Sequence, residues 1–430
     1  MKVKIKPSKL QGSLTAPPSK SYTHRTVLLS SLCNGSSTVI NPLISRDTQA
    51  TIDACRALGA SISSKENWMS VKGRLPLAVP SNVVNVENSG TTLRLMTSAA
   101  ALSEKGYTVF TGDESVRQRP MQPLLDALHK IGVRCWSLRL NGCAPVIVEG
   151  GGIQGGDVTM PGGISSQFIS SLLISSAMAN KETVVRIEGK LVSRPYLDAT
   201  LKMMEIFGGK VSEKKTGVFR IPAKQRYAPT SFRVPGDFSS GSFALAGGAL
   251  SGGKVSVDGF DFTLPQGDGV IVDILKKMGA NVSIDTKLGR IEVKGGNSLG
   301  GGKFDLSDTP DLLPVVAVLG CRSEGEVLIT GVKHARFKET DRIAVLAEEL
   351  PKLGVEVEEL DDGLRITGAR RFKKCTLNSH DDHRMAMIFA IAGFASEEGC
   401  VIEGFESVDV SYPSFREDIQ ALGGKIEAVK

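Results

Sequence analysis

Apolar and polar residues follow two alternating periods along the chain, and this pattern returns six times. In each copy, apolar residues at helical spacing, such as Ile271, Ile274 and Met278, lead to a glycine, after which a short stretch alternates as a strand does. Glycine accepts the left-handed backbone that follows the last turn of a helix, so each glycine predicts a helix end and a strand start. The six are Gly59, Gly132, Gly208, Gly279, Gly354 and Gly423.

These glycines lie 73, 76, 71, 75 and 69 residues apart. A second marker keeps the same phase upstream, a turn that leads into a β-branched strand. It occupies residues 34–40, 105–110, 180–185, 251–256, 323–328 and 397–402. Two markers in register six times predict six copies of one α/β unit, each in the order strand, helix, short strand, helix, strand.

The length of 430 residues exceeds what one ordinary core supports, and two domains of three copies each are the natural division. We place the first three copies in residues 16–233 and the last three in 1–15 together with 234–430. The chain then crosses between domains near 230–236 and again within 14–18, as a double hinge. Aromatic residues make up only 5% of the chain, so the cores are predicted to be aliphatic.

The net charge and the cysteines indicate which partners and which cellular compartment to expect. A net charge of +6 is a mild excess that favours anionic partners but is weak evidence for nucleic acid, and basic strips rich in aromatic residues are missing. The seven cysteines form no C-x-x-C pair, which predicts reduced thiols and argues against disulfides or zinc. The first six residues alternate like a strand, and no apolar run approaches membrane length. We expect a soluble, cytoplasmic protein.

Several predicted helices begin at Ser/Gly/Thr turns: 19–21, 88–92, 165–167 and 239–242. Capping alone would account for any single one of them. Basic side chains accompany these and other turns, however, and a helix N-terminus with an added cation suits an anion. Converging ends of this kind predict a pocket for a polyanionic small molecule. The basic residues are Lys20, Arg25, Arg94, Arg119, Lys338, Arg342 and Arg384.

Seven short sequence motifs, taken together, resemble those of the 5-enolpyruvylshikimate-3-phosphate synthase family. They are Lys20-Ser21-x-x-x-Arg25, 88–91, Arg119-Pro120, 165–167, 193–196, 338–342 and 382–386. They run in the family's order over essentially the whole chain, and the stretches at 338–342 and 382–387 are highly specific. The resemblance implies an α/β fold of two similar domains, each of three βαβαββ units in an inside-out α/β barrel, joined by a double-stranded hinge.

The resemblance also implies an activity: transfer of the enolpyruvyl group of phosphoenolpyruvate to the 5-hydroxyl of shikimate 3-phosphate, with release of phosphate. Shikimate 3-phosphate would be held by Lys20, Ser21, Arg25, Ser165, Ser166, Gln167, Ser193, Tyr196, Asp311, His334 and Lys338. Phosphoenolpyruvate would be held by Lys20, Gly90, Arg119, Gln167, Arg342 and Arg384. Glyphosate, the family's inhibitor, is expected to compete for this second set and to crowd Gly90. No nucleic acid or membrane partner is expected, and the protein is expected to be a monomer.

The chemistry requires a base for the 5-hydroxyl and an acid for the methylene carbon. Asp311 is our candidate base, helped by Lys338. Glu339 is our candidate for the methylene proton, with Lys20 assisting. No metal or organic cofactor is required. His383 is expected to orient its neighbours.

Two positions depart from the family pattern. His334 stands where the family usually has asparagine, which puts one contact to the sugar phosphate in doubt. The family usually has a lysine just before the last Phe/Tyr-Pro pair, and residues 408–413 contain none. We expect the loss of this cation to weaken the phosphoenolpyruvate site without abolishing it.

Three alternatives remain. A sister enolpyruvyl transferase acts on UDP-N-acetylglucosamine, but it needs a loop cysteine, and that position falls near Glu114 in a stretch without cysteine between Cys55 and Cys135. It also carries asparagine where this chain has Ser21. RNA 3′-phosphate cyclases use a related repeat but need a nucleotide-modified histidine, and His383 lies in the wrong motif. A non-enzymatic anion-binding module does not explain acids among the bases.

Overall fold

The structure is a computed structural model that describes residues 1–296, 298–369 and 371–429. Lys430, the predicted end of the second domain, lies outside the described residues. The first twelve strands are β1 (Lys2–Lys6), β2 (Gln11–Thr15), β3 (Gly35–Ile40), β4 (Ser61–Lys65), β5 (Trp68–Gly73), β6 (Val84–Asn85), β7 (Tyr107–Thr111), β8 (Cys135–Ser137), β9 (Val146–Glu149), β10 (Gly156–Pro161), β11 (Thr183–Glu188) and β12 (Ser212–Lys215). The remainder are β13 (Val218–Ile221), β14 (Ser231–Arg233), β15 (Lys254–Asp258), β16 (Asn281–Asp285), β17 (Arg290–Lys294), β18 (Leu299–Asp305), β19 (Ser323–Thr330), β20 (Glu356–Leu360), β21 (Gly363–Thr367), β22 (Cys375–Asn378), β23 (Cys400–Glu403) and β24 (Lys425–Ala428).

The α-helices of the described chain are α1 (Lys20–Ser31), α2 (Arg46–Ala57), α3 (Gly90–Ala100), α4 (Gln122–Lys130), α5 (Ser166–Ser176), α6 (Arg194–Ile206), α7 (Phe238–Ser251), α8 (Ile271–Lys277), α9 (Leu313–Gly320), α10 (Arg342–Glu349), α11 (His383–Phe394) and α12 (Phe415–Ala421). Short 3₁₀ turns carry some of the site residues. Those used below are Gly267–Val270, Pro310–Leu312, Lys333–Phe337 and Phe405–Val410.

Six sheets of four strands, all built alike, account for the described strands. In the second copy, β6 pairs parallel with β7, β7 antiparallel with β9, and β9 antiparallel with β8. The full order of this copy is therefore strand, helix, strand, helix, strand, strand. The order predicted from the residues alone was wrong by one strand in the first five copies, because their two last strands form a hairpin that reads as one stretch. In the sixth copy, β1 takes the place of one hairpin strand. The βαβαββ order implied by the family resemblance is confirmed.

Two copies borrow their first strand from a distant part of the chain. In the first copy, β14 supplies the strand that pairs parallel with β3. In the fourth copy, β2 pairs parallel with β15. The N-terminal strand β1 is confirmed as well, and it lies between β23 and β24 of the last copy. The beginning of the chain thus completes the last three copies.

The described residues divide into two compact units. The central unit is Pro18–Val234 and contains α1–α6, whereas the terminal unit combines Met1–Pro17 with the residues from Pro235 onward and contains α7–α12. In the terminal unit α7, α9 and α11 pack against one another, and α9 and α11 are buried on every side. A helix that is apolar all round belongs inside a core, and here the sheets cover it. None of the described helices is long and apolar enough to cross a membrane.

The predicted helix ends are confirmed at all six repeated glycines. Their φ angles lie between +81° at Gly208 and +97° at Gly59, in the region that glycine tolerates best. A strand follows each of them within a few residues. Three of the four predicted helix starts are confirmed, since α1, α3 and α5 begin directly after Ser19, Ser89 and Ser165. The start predicted at 239–242 is wrong, because α7 already begins at Phe238 and is capped by Asp237, which accepts from Ser240 N.

Candidate active site

In the terminal unit the inner helices bring their first turns together through one arginine. Arg384, in the first turn of α11, donates from Nη1 to Ser239 Oγ of α7 at 2.7 Å. It donates from Nη2 to Asp311 Oδ2 at 2.9 Å, just before α9. The predicted base and a predicted phosphoenolpyruvate ligand are therefore in direct contact.

Arg342 begins α10 and is surrounded by carboxylates. It is only 1% exposed, and it donates to Asp311 Oδ1 at 2.8 Å, to Glu339 Oε2 at 2.7 Å and to Asp382 Oδ2 at 2.7 Å. Burial lowers the pKa of Arg342, but the three acids raise it well above its usual range, so the guanidinium stays charged.

Both carboxylate oxygens of Asp311 accept hydrogen bonds from cationic side chains. Besides Arg342 and Arg384, the ammonium of Lys338 lies 3.6 Å from Oδ1. Asp311 and Glu339 are 15% and 13% exposed, so both acids are near the surface of the cluster. The structure thus brings together the four predicted residues Asp311, Lys338, Glu339 and Arg342. His334 is 7% exposed and lies on the 3₁₀ turn that precedes Lys338.

Two aspartates hold the helix starts that carry these arginines. Asp382 caps α11 by accepting from Arg384 N at 2.8 Å while it also pairs with Arg342. Asp341 caps α10 by accepting from the backbone N–H groups of Ile343 and Ala344, each at 3.1 Å. A cap that is also an ion-pair partner fixes both the backbone and the side chain of the binding residue. His383, between Asp382 and Arg384, is fully buried.

In the central unit Lys20 begins α1 and pairs with an acid that the sequence interpretation missed. Its Nζ lies 2.9 Å from Asp47 Oδ2, on the first turn of α2, and Asp47 is 6% exposed. Burial raises the pKa of Asp47, but Lys20 and His24 lower it more, to well below its usual range. Lys20 is therefore held beside a permanent negative charge.

Gly90 and Arg119, both assigned to phosphoenolpyruvate by the resemblance, lie against each other. A Cβ atom at Gly90 would lie 2.7 Å from Arg119 Nη1, so a side chain there would displace the guanidinium. Arg119 Nη2 donates to Ser115 Oγ at 2.9 Å and to Asn88 Oδ1 at 3.4 Å. Arg119 can therefore occupy its present position only because residue 90 has no side chain.

Gln167 is oriented by two groups of α3. Its Oε1 accepts from Arg94 Nη1 at 2.8 Å, and its Nε2 donates to Thr91 Oγ1 at 3.0 Å. Ser165 caps the helix by accepting from Gln167 N at 3.3 Å. Arg94, which was noted as a basic residue but given no role, therefore fixes the amide of a predicted ligand.

The remaining predicted sugar-phosphate residues lie at the starts of α1, α5 and α6, with Ser166 as the first residue of α5. Ser193 precedes α6 with a left-handed φ of 57°, a conformation that residues other than glycine rarely adopt. Arg25 is 3% exposed and donates to Thr200 Oγ1 and to the carbonyls of Ser21 and Tyr196. Burial lowers its pKa to about 10. Its bonds to Thr200 and Tyr196 thus join α1 to α6 within the central unit, whereas Ser21 lies in α1 itself.

The two clusters differ in charge. The cations of the terminal cluster are matched by acids: Lys338, Arg342 and Arg384 with Asp311, Glu339 and Asp382. The central cluster places four cations beside one acid: Lys20, Arg25, Arg94 and Arg119 with Asp47. The excess positive charge expected from the sequence is therefore concentrated in the central unit.

Near the position where the family usually has a lysine, most side chains are buried. Val410 and Ser411 are buried at the end of the 3₁₀ turn Phe405–Val410, and Tyr412 packs edge-on against Phe415 at 5.5 Å. No cation replaces the lysine within this stretch of the described chain.

One group of described residues has the spacing of a metal site: Glu348, Glu349 and His380. Glu349 already accepts from Lys352 Nζ at 2.7 Å and from Asn378 N at 2.9 Å, and His380 Nε2 lies at 3.1 Å. These partners satisfy the buried carboxylate, so the cluster fits a structural role better than a metal centre.

The fold is that of solved enolpyruvyl transferases. An enolpyruvyl transferase from Streptomyces tendae, NikO, matches 99% of this chain and 98% of its own at a TM-score of 0.79, with 17% identity, and shares the fold. An EPSP synthase from Acinetobacter baumannii matches both chains over their full length at a TM-score of 0.83 and 27% identity.

The chain belongs to the EPSP synthase family, because the family's sequence model, described as EPSP synthase (3-phosphoshikimate 1-carboxyvinyltransferase), matches residues 4–419. A curated 3-phosphoshikimate 1-carboxyvinyltransferase from Methanocella arvoryzae is 46% identical over 99% of this chain and all of its own. Another, from Nitrosopumilus maritimus, is 44% identical over 99% of this chain and all of its own. The resemblance drawn from the motifs is confirmed.

Proposed function

We propose that this protein transfers the enolpyruvyl group of phosphoenolpyruvate to the 5-hydroxyl of shikimate 3-phosphate and releases inorganic phosphate, a step in aromatic amino-acid biosynthesis. The observation that carries the proposal is the family match over residues 4–419, together with relatives of this activity that cover nearly the whole chain. The alternative acceptor, UDP-N-acetylglucosamine, is not favoured.

In this proposal the residues of the terminal cluster carry the proton transfers. The 5-hydroxyl gives its proton to the carboxylate of Asp311 as its oxygen bonds to carbon 2 of phosphoenolpyruvate, and the methylene carbon takes a proton from Glu339. In the second step that carbon returns a proton, the double bond re-forms and phosphate leaves. The proposal is supported by the exposed fractions of Asp311 and Glu339, which leave both acids accessible beside the buried Arg342.

The central cluster is proposed to bind the anionic groups. Two substrates with about three negative charges each repel one another unless cations screen them at short range. The central cluster suits that role, because it holds the four cations Lys20, Arg25, Arg94 and Arg119 beside the single acid Asp47. Shikimate 3-phosphate is assigned to Lys20, Ser21, Arg25, Ser165, Ser166, Gln167, Ser193, Tyr196, Asp311, His334 and Lys338, and phosphoenolpyruvate to Lys20, Gly90, Arg119, Gln167, Arg342 and Arg384.

Four further expectations belong to the same proposal. Glyphosate competes with phosphoenolpyruvate at Gly90 and Arg119. The protein works as a monomer and without a cofactor. It works in the cytoplasm, which is supported by the seven cysteines, all of which are unpaired thiols.

The test is phosphate release from phosphoenolpyruvate by the purified chain, with shikimate 3-phosphate or UDP-N-acetylglucosamine as acceptor. Release that depends on shikimate 3-phosphate alone supports the proposal. Release with the nucleotide sugar alone, or with neither acceptor, overturns it. The variant Arg342→Met serves as the inactive control, because it removes a predicted phosphoenolpyruvate ligand.

A further inference from the structure

Lys20 is connected through Asp47 to His24, a histidine to which the mechanism above gives no role. His24 lies one turn after Lys20 on α1 and is fully buried. Its Nε2 lies 3.4 Å from Asp47 Oδ1, whereas Lys20 Nζ lies 2.9 Å from Asp47 Oδ2. One carboxylate thus stands between two nitrogen bases.

Three hydroxyl groups join the other ring nitrogen of His24 back to the same carboxylate. His24 Nδ1 lies 2.7 Å from Thr51 Oγ1, which lies 2.6 Å from Thr92 Oγ1. Thr92 Oγ1 lies 2.6 Å from Ser89 Oγ, and Ser89 Oγ donates to Asp47 Oδ1. The side chains of α1, α2 and the start of α3 therefore form a closed, buried ring.

The number of protons in this ring of side chains determines which group donates and which accepts in each of its hydrogen bonds. An ionised Asp47 can only accept, so the single proton of Ser89 points to it. Thr92 must then donate to Ser89, and Thr51 to Thr92, because each hydroxyl has one proton. Nδ1 of His24 must in turn donate to Thr51. A neutral His24 therefore directs the lone pair of Nε2 towards Asp47.

The arrangement leaves Nε2 as a buried polar atom without a hydrogen bond. Such an atom is costly in a core, and a proton placed on it would pair with Asp47. The charged groups that face His24 are Asp47, Lys20 and Arg25. Burial lowers the pKa of His24, Asp47 raises it, and the two cations lower it further. At neutral pH the imidazole is thus neutral, and Asp47 remains with Lys20.

We propose that His24 is a positioning residue for Lys20 and acts through Asp47: a proton on Nε2 draws the carboxylate to His24 and weakens its hold on the ammonium of Lys20. The charges on His24 and Lys20 then oppose each other, and this opposition is reciprocal by linkage. Acid conditions loosen Lys20, so the enzyme loses its hold on the substrates below the midpoint of His24. The effect on catalysis rests on the function proposed above, whereas the coupling itself does not.

The coupling is tested without substrates by following the ring proton of each histidine by NMR as pH is varied. The variant Lys20→Met removes a positive charge near His24 at almost constant size, so the midpoint of His24 should rise. His129, in α4, is the internal control, because its imidazole accepts from Cys135 N of β8 and lies outside the hydrogen-bonded ring that joins His24 to Asp47. The proposal is overturned if the titration midpoint of His24 is the same in both proteins. It is also overturned if the His24 imidazole stays neutral in both proteins down to the pH at which they unfold.

The effect on catalysis is tested with His24→Asn, which cannot take up a proton, beside the control His129→Asn. In the wild type, kcat/KM should fall about tenfold per pH unit below the His24 midpoint, and the fall should be lost in His24→Asn only. Thermal melting identifies any loss of folding in the variant. The same acid limb in a folded His24→Asn protein overturns the role of His24. Absence of turnover in every protein would instead contradict the proposed function, while the NMR result would stand.

Discussion

Arg342 Nη1 lies 2.8 Å from Asp311 Oδ1, so the residue proposed to accept the hydroxyl proton is held by a residue proposed to bind the other substrate. Arg384 makes the same link to the second oxygen at 2.9 Å. Asp311 and the two arginines therefore hold one another in place, and truncating one of them disturbs both the proposed proton transfer and the proposed phosphoenolpyruvate binding. A substitution that tests only the base must keep the hydrogen bonds to the arginines.

The first prediction concerns Asp311→Asn, which keeps the size of the side chain and one oxygen for its cationic neighbours. We expect kcat to fall by roughly 10²–10⁴, the usual contribution of a positioned base. Binding of shikimate 3-phosphate, measured by calorimetry, should change little. Asp311→Ala should also weaken phosphoenolpyruvate binding, because Arg342 and Arg384 lose a shared partner. Normal turnover per bound complex in Asp311→Asn would contradict the assignment.

The second prediction concerns Gly90→Ala. The new methyl group would lie 2.7 Å from Arg119 Nη1, so the guanidinium must move away from its present position. We expect the inhibition constant for glyphosate to rise more than the KM for phosphoenolpyruvate, because the inhibitor is expected to crowd position 90. Steady-state kinetics with both compounds measure the two changes. Equal changes for inhibitor and substrate would show that glyphosate does not approach Gly90.

The third prediction concerns Asp268, a buried acid on the 3₁₀ turn Gly267–Val270. Burial and the neighbouring charge of Asp311 raise its pKa to about 6, against the attraction of Arg384. The folded protein therefore holds a proton here that the unfolded chain releases near its ordinary pKa of 3.8. This contribution to stability is present below pH 4 and is lost as pH rises through 6.

Asp268→Asn removes that dependence. Relative to the wild type, the variant should gain up to about 3 kcal/mol in free energy of unfolding between pH 4 and pH 6, and the difference should then stay level. Urea unfolding at several pH values measures it. Asp258→Asn is a suitable control, because this acid pairs with Arg290 at the surface and should give no such trend. A constant difference across the pH range would show that Asp268 is already ionised at pH 4.

The local features of the fold could be predicted from the sequence, because each depends on neighbouring residues. Gly59 and Gly208 end their helices with positive φ, and Ser89 and Ser165 cap theirs, as their residue types indicated. The hairpins that close the first five copies were missed, since their turns have no constant residue type.

Side-chain partners were harder to predict. Asp47 is 27 positions from Lys20, and the contact exists only because α1 packs on α2. Likewise, the sequence showed cations among acids but not that Arg342 is enclosed by three of them. Residues that are far apart along the chain meet through packing, which periodicity does not encode. An acid in the first turn of a helix beside a basic helix start is the one signal that could have indicated Asp47.

The fourth prediction concerns two cysteines that are 25 positions apart along the chain. Cys375 and Cys400 are direct partners in the parallel strands β22 and β23, and their sulfur atoms lie 3.7 Å apart. Diamide should oxidise this pair to a disulfide: the two thiols lose two protons and two electrons, and the diazene is reduced to a hydrazine. Mass spectrometry of tryptic peptides should find the 375–400 link, and two of the seven thiols should disappear. Cys400→Ser should abolish the loss, whereas Cys143→Ser, at a half-buried cysteine elsewhere, should not. A link between any other two cysteines, or none, would contradict the strand register at this position.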